Sequence, residues 1–292
     1  MKTCLMKTNR YEISLVNHGF LSLDGGAMFG SVPRPLWERK AHPDAKHRIT
    51  LATRSLLIRG EGICALVDVG CGNKWSEKEQ TIFNFTPIIE QTPAFHPEEI
   101  TDLIITHLHF DHAGGLTYYD ADGVLQPSYP QATIWLQHDN YETATDPNIR
   151  ERASYLPEHI AQLKQGTLKL VQGTCEILPD IWVHQSDGHT RGLQYIEIRG
   201  GDAPILYPSD LIPTSHHLPL PYHMGYDMCA QTLLEEKAPF LERALQEKAL
   251  IVFEHDPEIA VATIEKKETG HYGIATIVER ETTPGRDGKT GS

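Results

Sequence analysis

Residues 106–116 read THLHFDHAGGL, and within them His107, His109, Asp111 and His112 supply four groups able to hold a metal ion. Imidazole nitrogens suit zinc, iron, cobalt and similar ions, and a carboxylate adds negative charge and can bridge two of them. In an extended or tightly looped segment His107 and His109 point the same way, while Asp111 and His112 turn towards a neighbouring position. Gly114 and Gly115 let the backbone turn closely there. A single catalytic site takes three protein ligands plus water, so four groups in one segment suggest two ions. The remaining ligands are then expected later in the chain, at other strand ends. Three places fit: His189 in SDGHTRG after the strand DIWVHQS, Asp210 ending PILYPSD, and His255 ending LIVFEHD.

Strands must position such residues, and the chain supplies them. YEISLV alternates, ITLATRSLLIRG is a β-branched run, and Gly60-Glu61-Gly62 turns into ICALVDVG. SEKEQTIFNF has helical spacing with Ser76 as N-cap, and PEEITDLIIT gives a short apolar strand ending at the opening motif. QATIWLQH, TLKLVQ, LQYIEIRG, APILYPSD, LIVFEHD and IAVATIEKK read as further strands. The longest helical pattern is CAQTLLEEKAPFLERALQEKA, where Pro239 is expected to break or kink it. Two β-rich halves with helices between them predict an α/β protein of two packed sheets flanked by helices. No repeat or low-complexity linker divides the chain, so one domain over residues 1–280 is expected, with 281–292 as a loose tail; the polar stretch ERETTPGRDGKTGS carries that reading.

At 292 residues the chain can bury a large core without disulfides, and 40% hydrophobic with 22% charged residues is ordinary for a soluble globular protein. Lys and Arg number 26 against 39 Asp and Glu, a formal charge of −13. Phosphate backbones repel such a chain, which argues against nucleic acid and leaves a small neutral substrate open. The cysteines Cys4, Cys64, Cys71, Cys175 and Cys229 are odd in number and form no C-x-x-C pair. They read as reduced thiols of a cytoplasmic protein, with Cys64 and Cys229 as small core residues. No apolar run is long enough for a signal peptide or a membrane span.

The ordered set HLHFDH, GHT, SD and EH resembles the metallo-β-lactamase fold superfamily of hydrolases, over roughly Ile49 to His255. The resemblance implies an αββα sandwich of two mixed sheets with metals at one edge. It also implies that His107, His109 and His189 hold a first ion, that Asp111, His112 and His255 hold a second, and that Asp210 bridges them. Position 109 is His, unlike the glutamate of the flavodiiron branch, and the bridging Asp210 is unlike true β-lactamases. Ribonuclease Z and its relatives share the ligands, but the acidic charge disfavours their substrate. LDGGAMFGSVPRPLW and HLPLPYHMGYD resemble the branch of quorum-quenching lactonases, related to the methyl parathion hydrolases. In acyl-homoserine lactonases a tyrosine stands three residues after the bridging aspartate; here that position is Pro213, and Tyr222 or Tyr226 is expected to reach the site instead. The common GHTPG also appears as GHTRG, with Arg191 for proline.

The resemblance implies two divalent ions, zinc first with iron, cobalt or manganese as substitutes. Such ions, ~3.5–4 Å apart, hold a bridging hydroxide that attacks the carbonyl of an acyl-homoserine lactone or a carboxylic ester. Asp111 would pass a proton to the leaving alkoxide, and a tyrosine hydroxyl would donate to the oxyanion. The alternatives are an organophosphate triesterase, a glyoxalase II-like thioesterase and a non-catalytic metal sensor. Other residues have a plain reading and a functional one. His216, His217 and His223 read as an exposed polar loop or as substrate contacts. Gly25 and Gly26 could cradle an anion, Met28 and Phe29 could reach over a cleft, fill core or form a homodimer contact, and Phe110 is expected near the metals. Asp68 caps a turn or supports a ligand histidine.

Overall fold

The run ITLATRSLLIRG turns successive side chains to opposite faces, as a strand must. Leu56 and Ile58 enter one buried cluster while Leu57 enters another, so both faces of this strand are covered. The computed structural model describes residues 6–88, 94–164 and 167–281; Cys4 and positions 282–292 fall outside them. Its first sheet orders the strands Met6–Lys7, Glu12–Asp24, Arg48–Gly60, Ile63–Val67, Asp102–Ile104, Thr133–Gln137 and Thr167–Val171, with Thr86–Pro87 pairing off Glu12–Asp24. Pairing is antiparallel up to Ile63–Val67 and parallel from there on. The second sheet orders Cys175–Leu178, Ile181–Ser186, Leu193–Ile198, Ile205–Tyr207, Leu250–Val252, Ile259–Lys266 and Tyr272–Arg280. Only Ile205–Tyr207 and Leu250–Val252 run parallel in it.

The inner faces meet in one core, where Ile13, Leu56, Ile58 and Val67 pack with Val183, Ile196, Ile198 and Tyr207. Outer faces are covered by helical segments. Leu57, Leu66, Ile105 and Leu136 pack beneath Ala144 and Tyr155, and Leu206, Ile251 and Phe253 beneath the helix Ala230–Gln246. The result is the predicted αββα sandwich of two mixed sheets. The site ligands follow the C-terminal ends of strands from both sheets, at one edge.

Ser76 caps the helix Glu77–Phe83 through a full capping box with Glu79, as its spacing predicts. Pro239, by contrast, does not end the helix Ala230–Gln246. A proline inside a helix costs about 3 kcal/mol. Leu233, Phe240 and Leu241 are buried on the same helix, at roughly 1.5–3 kcal/mol each, so packing outweighs the local penalty. The polar stretch that starts at Glu279 also enters the fold further than its composition suggests. Glu279 and Arg280 pair with Val261 and Ile259, and the Glu281 N–H donates to the Glu258 carbonyl at 3.0 Å. Strand pairing overrides composition there.

The long helix is tied to its sheet by Glu197, whose side chain is fully buried. This carboxylate accepts from His184 Nε2 at 2.8 Å, from Arg199 Nε at 2.7 Å and from Arg243. Burial alone would raise its pKa, but these three donors hold it well below 4.5. A carboxylate with a lowered folded pKa contributes stability above its unfolded pKa and loses it as pH falls through the folded one. Thermal stability should therefore begin to drop as pH nears 4.5 and keep dropping below it, and Glu197→Gln should be less stable at neutral pH with a flatter acid limb. Melting curves across that range check it.

Candidate metal centre

Asp102–Ile104 runs directly into the histidine segment, and Asp68 at the end of the neighbouring strand holds that segment in place. Its carboxylate accepts from the Thr106 N–H and hydroxyl, each at 2.7 Å, and from His112 Nδ1 at 3.1 Å. Asp68 thus holds the His112 ring as well as the turn. His109 then opens the short helix Phe110–Ala113, and this turn carries Asp111 and His112 to a different position from His107 and His109. Gly114 follows because its backbone lies against the 70–72 loop: a Cβ there would sit 2.1 Å from the Cys71 carbonyl oxygen. The second sheet brings His189 after Ile181–Ser186, Asp210 in the 3-10 turn Ser209–Leu211, and His255 after Leu250–Val252.

All seven predicted residues are buried and converge. One ligand atom from each of His107, His109, His189 and Asp210 lies within 4.8 Å of the others, and the same holds for Asp111, His112 and His255. Asp210 reaches both groups. Its Oδ2 lies 3.1 Å from His189 Nε2 and its Oδ1 3.1 Å from His255 Nε2.

The outward ring nitrogens fix which nitrogen faces inward. His189 Nδ1 faces Asp227 Oδ1 at 2.9 Å, and His255 Nδ1 donates to the Ala52 carbonyl at 2.8 Å. His112 Nδ1 lies 3.0 Å from Glu254 Oε1 as well as beside Asp68. With Nδ1–H held outward, Nε2 is the inward nitrogen, open to a metal ion or, without one, to a second proton. His112 Nε2 and His255 Nε2 then face each other at 3.2 Å, and Asp210 Oδ1 is buried without a hydrogen-bond donor. Inward nitrogens and carboxylate oxygens this close need a cation among them, a proton or a metal ion. The donor set fits divalent metal.

Charge follows the same geometry. Burial holds His107 and His109 well below the usual imidazole pKa, with neighbouring histidines adding to the effect. Burial acts the same way on His255, but the Asp210 carboxylate outweighs it and raises that ring to about 9. Burial would raise Asp210, yet His189, His255 and His112 hold it well below 3.8. Asp111 is raised, chiefly by burial.

The centre opens into a cleft of about 350 Å³ whose walls include Leu23, Met28, Leu51, Phe83, Phe110, Met224, Tyr226 and Met228. Phe110 lines it while packing on Trp75 and Phe83 at 5.5 and 5.4 Å. Tyr226 also lines it, and burial raises its hydroxyl to about 12. Tyr222 instead meets Phe29 edge-on at 6.4 Å and lies beneath Lys40.

Several plain readings change. Met28 belongs to the cleft wall, while Phe29 is core, stacked on Trp37 at 5.5 Å and on His217 at 4.8 Å. Neither projects as an exposed dimer contact, since both are buried. His217 is therefore not on an exposed loop: it is buried and donates from Nε2 to the Met28 carbonyl. His216 and His223 are half-buried, and His223 Nδ1 bonds the Met224 carbonyl. Gly25 packs under the Trp37 ring, and Gly26 follows Asp24, which caps the short helix Gly25–Phe29. Cys64, Cys71, Cys175 and Cys229 are free thiols, but Cys229 is exposed rather than core. Asp227, Glu254 and Ala52, which hold the rings of His189, His112 and His255, gave no signal in the sequence beyond Glu254 standing beside His255. No helix among the described residues is long and apolar enough to cross a membrane.

With this fold and this donor set in hand, the family is clear. The profile of the Metallo-beta-lactamase superfamily matches residues 49–262, and the chain belongs to that superfamily. Within it, the chain is 28% identical over 167 residues to an N-acyl homoserine lactonase of a Bacillus species. That alignment covers 56% of this chain and 59% of the lactonase, so the chain spans about three fifths of this curated relative's length. A probable metal-dependent hydrolase from Staphylococcus aureus superposes with a TM-score of 0.80 at 27% identity, covering 92% of this chain and 98% of that one. AidC, a dizinc quorum-quenching lactonase solved with a product, superposes with a TM-score of 0.72 at 20% identity over 92% and 95% of the two chains. At that identity the likeness concerns the fold.

Proposed function

We propose that this chain is a dinuclear metal-dependent hydrolase that opens lactones of the acyl-homoserine type or cleaves carboxylic esters. The observation that carries this reading is the Asp210 carboxylate, with one oxygen 3.1 Å from His189 and the other 3.1 Å from His255. It spans the two donor groups as a bridge would. His107, His109 and His189 would hold one ion, and Asp111, His112 and His255 the other, with zinc the best match to imidazole and carboxylate donors. When bound, such ions supply Lewis-acid polarisation of a carbonyl and lower the pKa of a water molecule to ~7.

The chain's own residues supply the rest. The apolar wall of Leu23, Met28, Leu51, Met224 and Met228 takes an acyl chain and excludes water from the reacting end. Asp111 lines the same cleft, and its carboxylate would accept the proton released by the attacking water and pass it to the leaving alkoxide oxygen. Tyr226, neutral at physiological pH, donates its hydroxyl proton as a hydrogen bond to the developing oxyanion. Tyr222, turned into the Phe29 cluster, supports the loop rather than the reaction.

The test is a panel of acyl-homoserine lactones, simple lactones, aryl esters, thioesters and phosphate triesters, run on protein of measured metal content. Turnover highest on lactones or carboxylic esters is the expected result. Preference for triesters or thioesters would move the same centre to another substrate class. Inactivity on every member with both ions bound would overturn the enzymatic reading.

A further inference from the structure

We infer that Asn140 is a positioning residue that sets the three-histidine group, by joining the two ligand-bearing loops that come from different sheets. The inference rests on assigning that group to a metal ion. Asn140 is fully buried in the helix His138–Thr145, which follows the strand Thr133–Gln137 without a connecting loop. Its Oδ1 accepts the Leu108 N–H at 2.9 Å, at the residue between His107 and His109. Its Nδ2 donates to the Arg191 carbonyl at 3.1 Å, two residues beyond His189. The same Nδ2 lies 3.3 Å from the Tyr155 hydroxyl. Tyr155 in turn sets its ring against His109 at 4.7 Å and shares a hydrogen bond with Thr190 at 2.8 Å.

One amide therefore holds the backbone on both sides of the group. The fit is close: at Gly192, with φ +76°, a Cβ would lie 2.3 Å from the Asn140 backbone nitrogen. Gln194 also ties the two segments, through its N–H to the Thr106 carbonyl and its Nε2 to the Ile105 carbonyl. Those bonds lie before the first ligand, at the strand's end. Asn140 bonds the backbone within the ligand segment itself.

The chemistry requires an acceptor and a donor on one short, planar, uncharged group. Asp keeps the acceptor for Leu108 but sets an oxygen against the Arg191 carbonyl, and Leu offers neither bond. A neutral amide has no titration near physiological pH, so the loss caused by Asn140→Leu should add no pH dependence of its own.

The experiment compares full-length wild type, Asn140→Asp, Asn140→Leu and Tyr155→Phe, each stripped and reloaded with zinc or cobalt. Circular dichroism and thermal melting report folding. Chelator competition reports the number and affinity of bound ions, and visible absorption of the cobalt forms reports ligand geometry. Wild type should bind two equivalents. Both Asn140 variants should keep two sites but lose about 10–100-fold in affinity at one, the cost usual for a group that supports a ligand. Their cobalt spectra should change, while Tyr155→Phe, which leaves both loop bonds, should lose less affinity than either Asn140 variant. Folded Asn140 variants with wild-type affinities and spectra overturn the inference, whether or not their melting temperature falls. Wild-type protein that binds no metal overturns the reading of the site itself.

Discussion

Asp210→Ala is expected to fold, to bind fewer than two equivalents of metal, and to lose hydrolytic activity by well over the roughly 10–100-fold that loss of a supporting group costs. The reason is where its charge sits. Asp210 is the carboxylate nearest the inward nitrogens of His189 and His255, at 3.1 Å from each, and lies 3.5 Å from His112 Nε2. Without it, nothing joins the two donor groups, and burial acts on His189 and His255 without their strongest opposing charge. Asp210→Asn keeps the shape and removes the charge, so it separates bridging charge from packing. Elemental analysis alongside circular dichroism checks the result. Two bound equivalents and wild-type turnover in folded Asp210→Ala would show that the seven residues do not act as one centre.

Arg54→Met is expected to be the most damaging change away from the ligands. The Arg54 side chain is wholly buried, yet it is charged and paired with Glu281 at 3.0 Å. It donates to the carbonyls of Phe253, Glu254 and Asp256, so its guanidinium grips the backbone on both sides of His255. The same strand also meets His255 directly: the Ala52 N–H donates to the His255 carbonyl at 3.1 Å, and the Ala52 carbonyl receives the ring proton. Removing one partner of a buried ion pair costs roughly 3–5 kcal/mol. Met keeps the volume and loses every donor, so the loss should fall at about that size and the group containing His255 should release metal first. Glu281→Gln should cost less, because Glu281 is 16% exposed and the three carbonyls still hold Arg54. Denaturant titration with metal analysis reads both effects, and an unchanged midpoint for Arg54→Met would refute the account.

The sequence shows the seven candidate ligands because each follows an apolar strand end, where a histidine or aspartate is out of place unless it has a task. Four of the seven also share one short segment, and that density singled them out. The supporting residues carry no such mark. Asn140, Asp227 and Arg54 are single polar residues whose partners lie far away in the chain, and only the packed sheets bring them together. Local patterns misled where packing took over. Pro239 sits inside a continuous helix, Glu279 and Arg280 complete a strand, and His217 is buried under Phe29. Of Tyr222 and Tyr226, the turn of the 219–228 loop brings the second to the cleft wall, and no spacing encodes that turn.

The distribution of donors over two sheets has a thermodynamic consequence. His107, His109, Asp111 and His112 belong to the half built by the first sheet; His189, Asp210 and His255 belong to the second. Neither half holds a complete set, so an ion bound between them would be a cross-link across the sandwich. It would bind the folded chain and not the unfolded one, adding about 4.1 kcal/mol when free metal stands at 1,000 times its dissociation constant. Metal supply would then govern how long the protein survives, as well as whether it reacts.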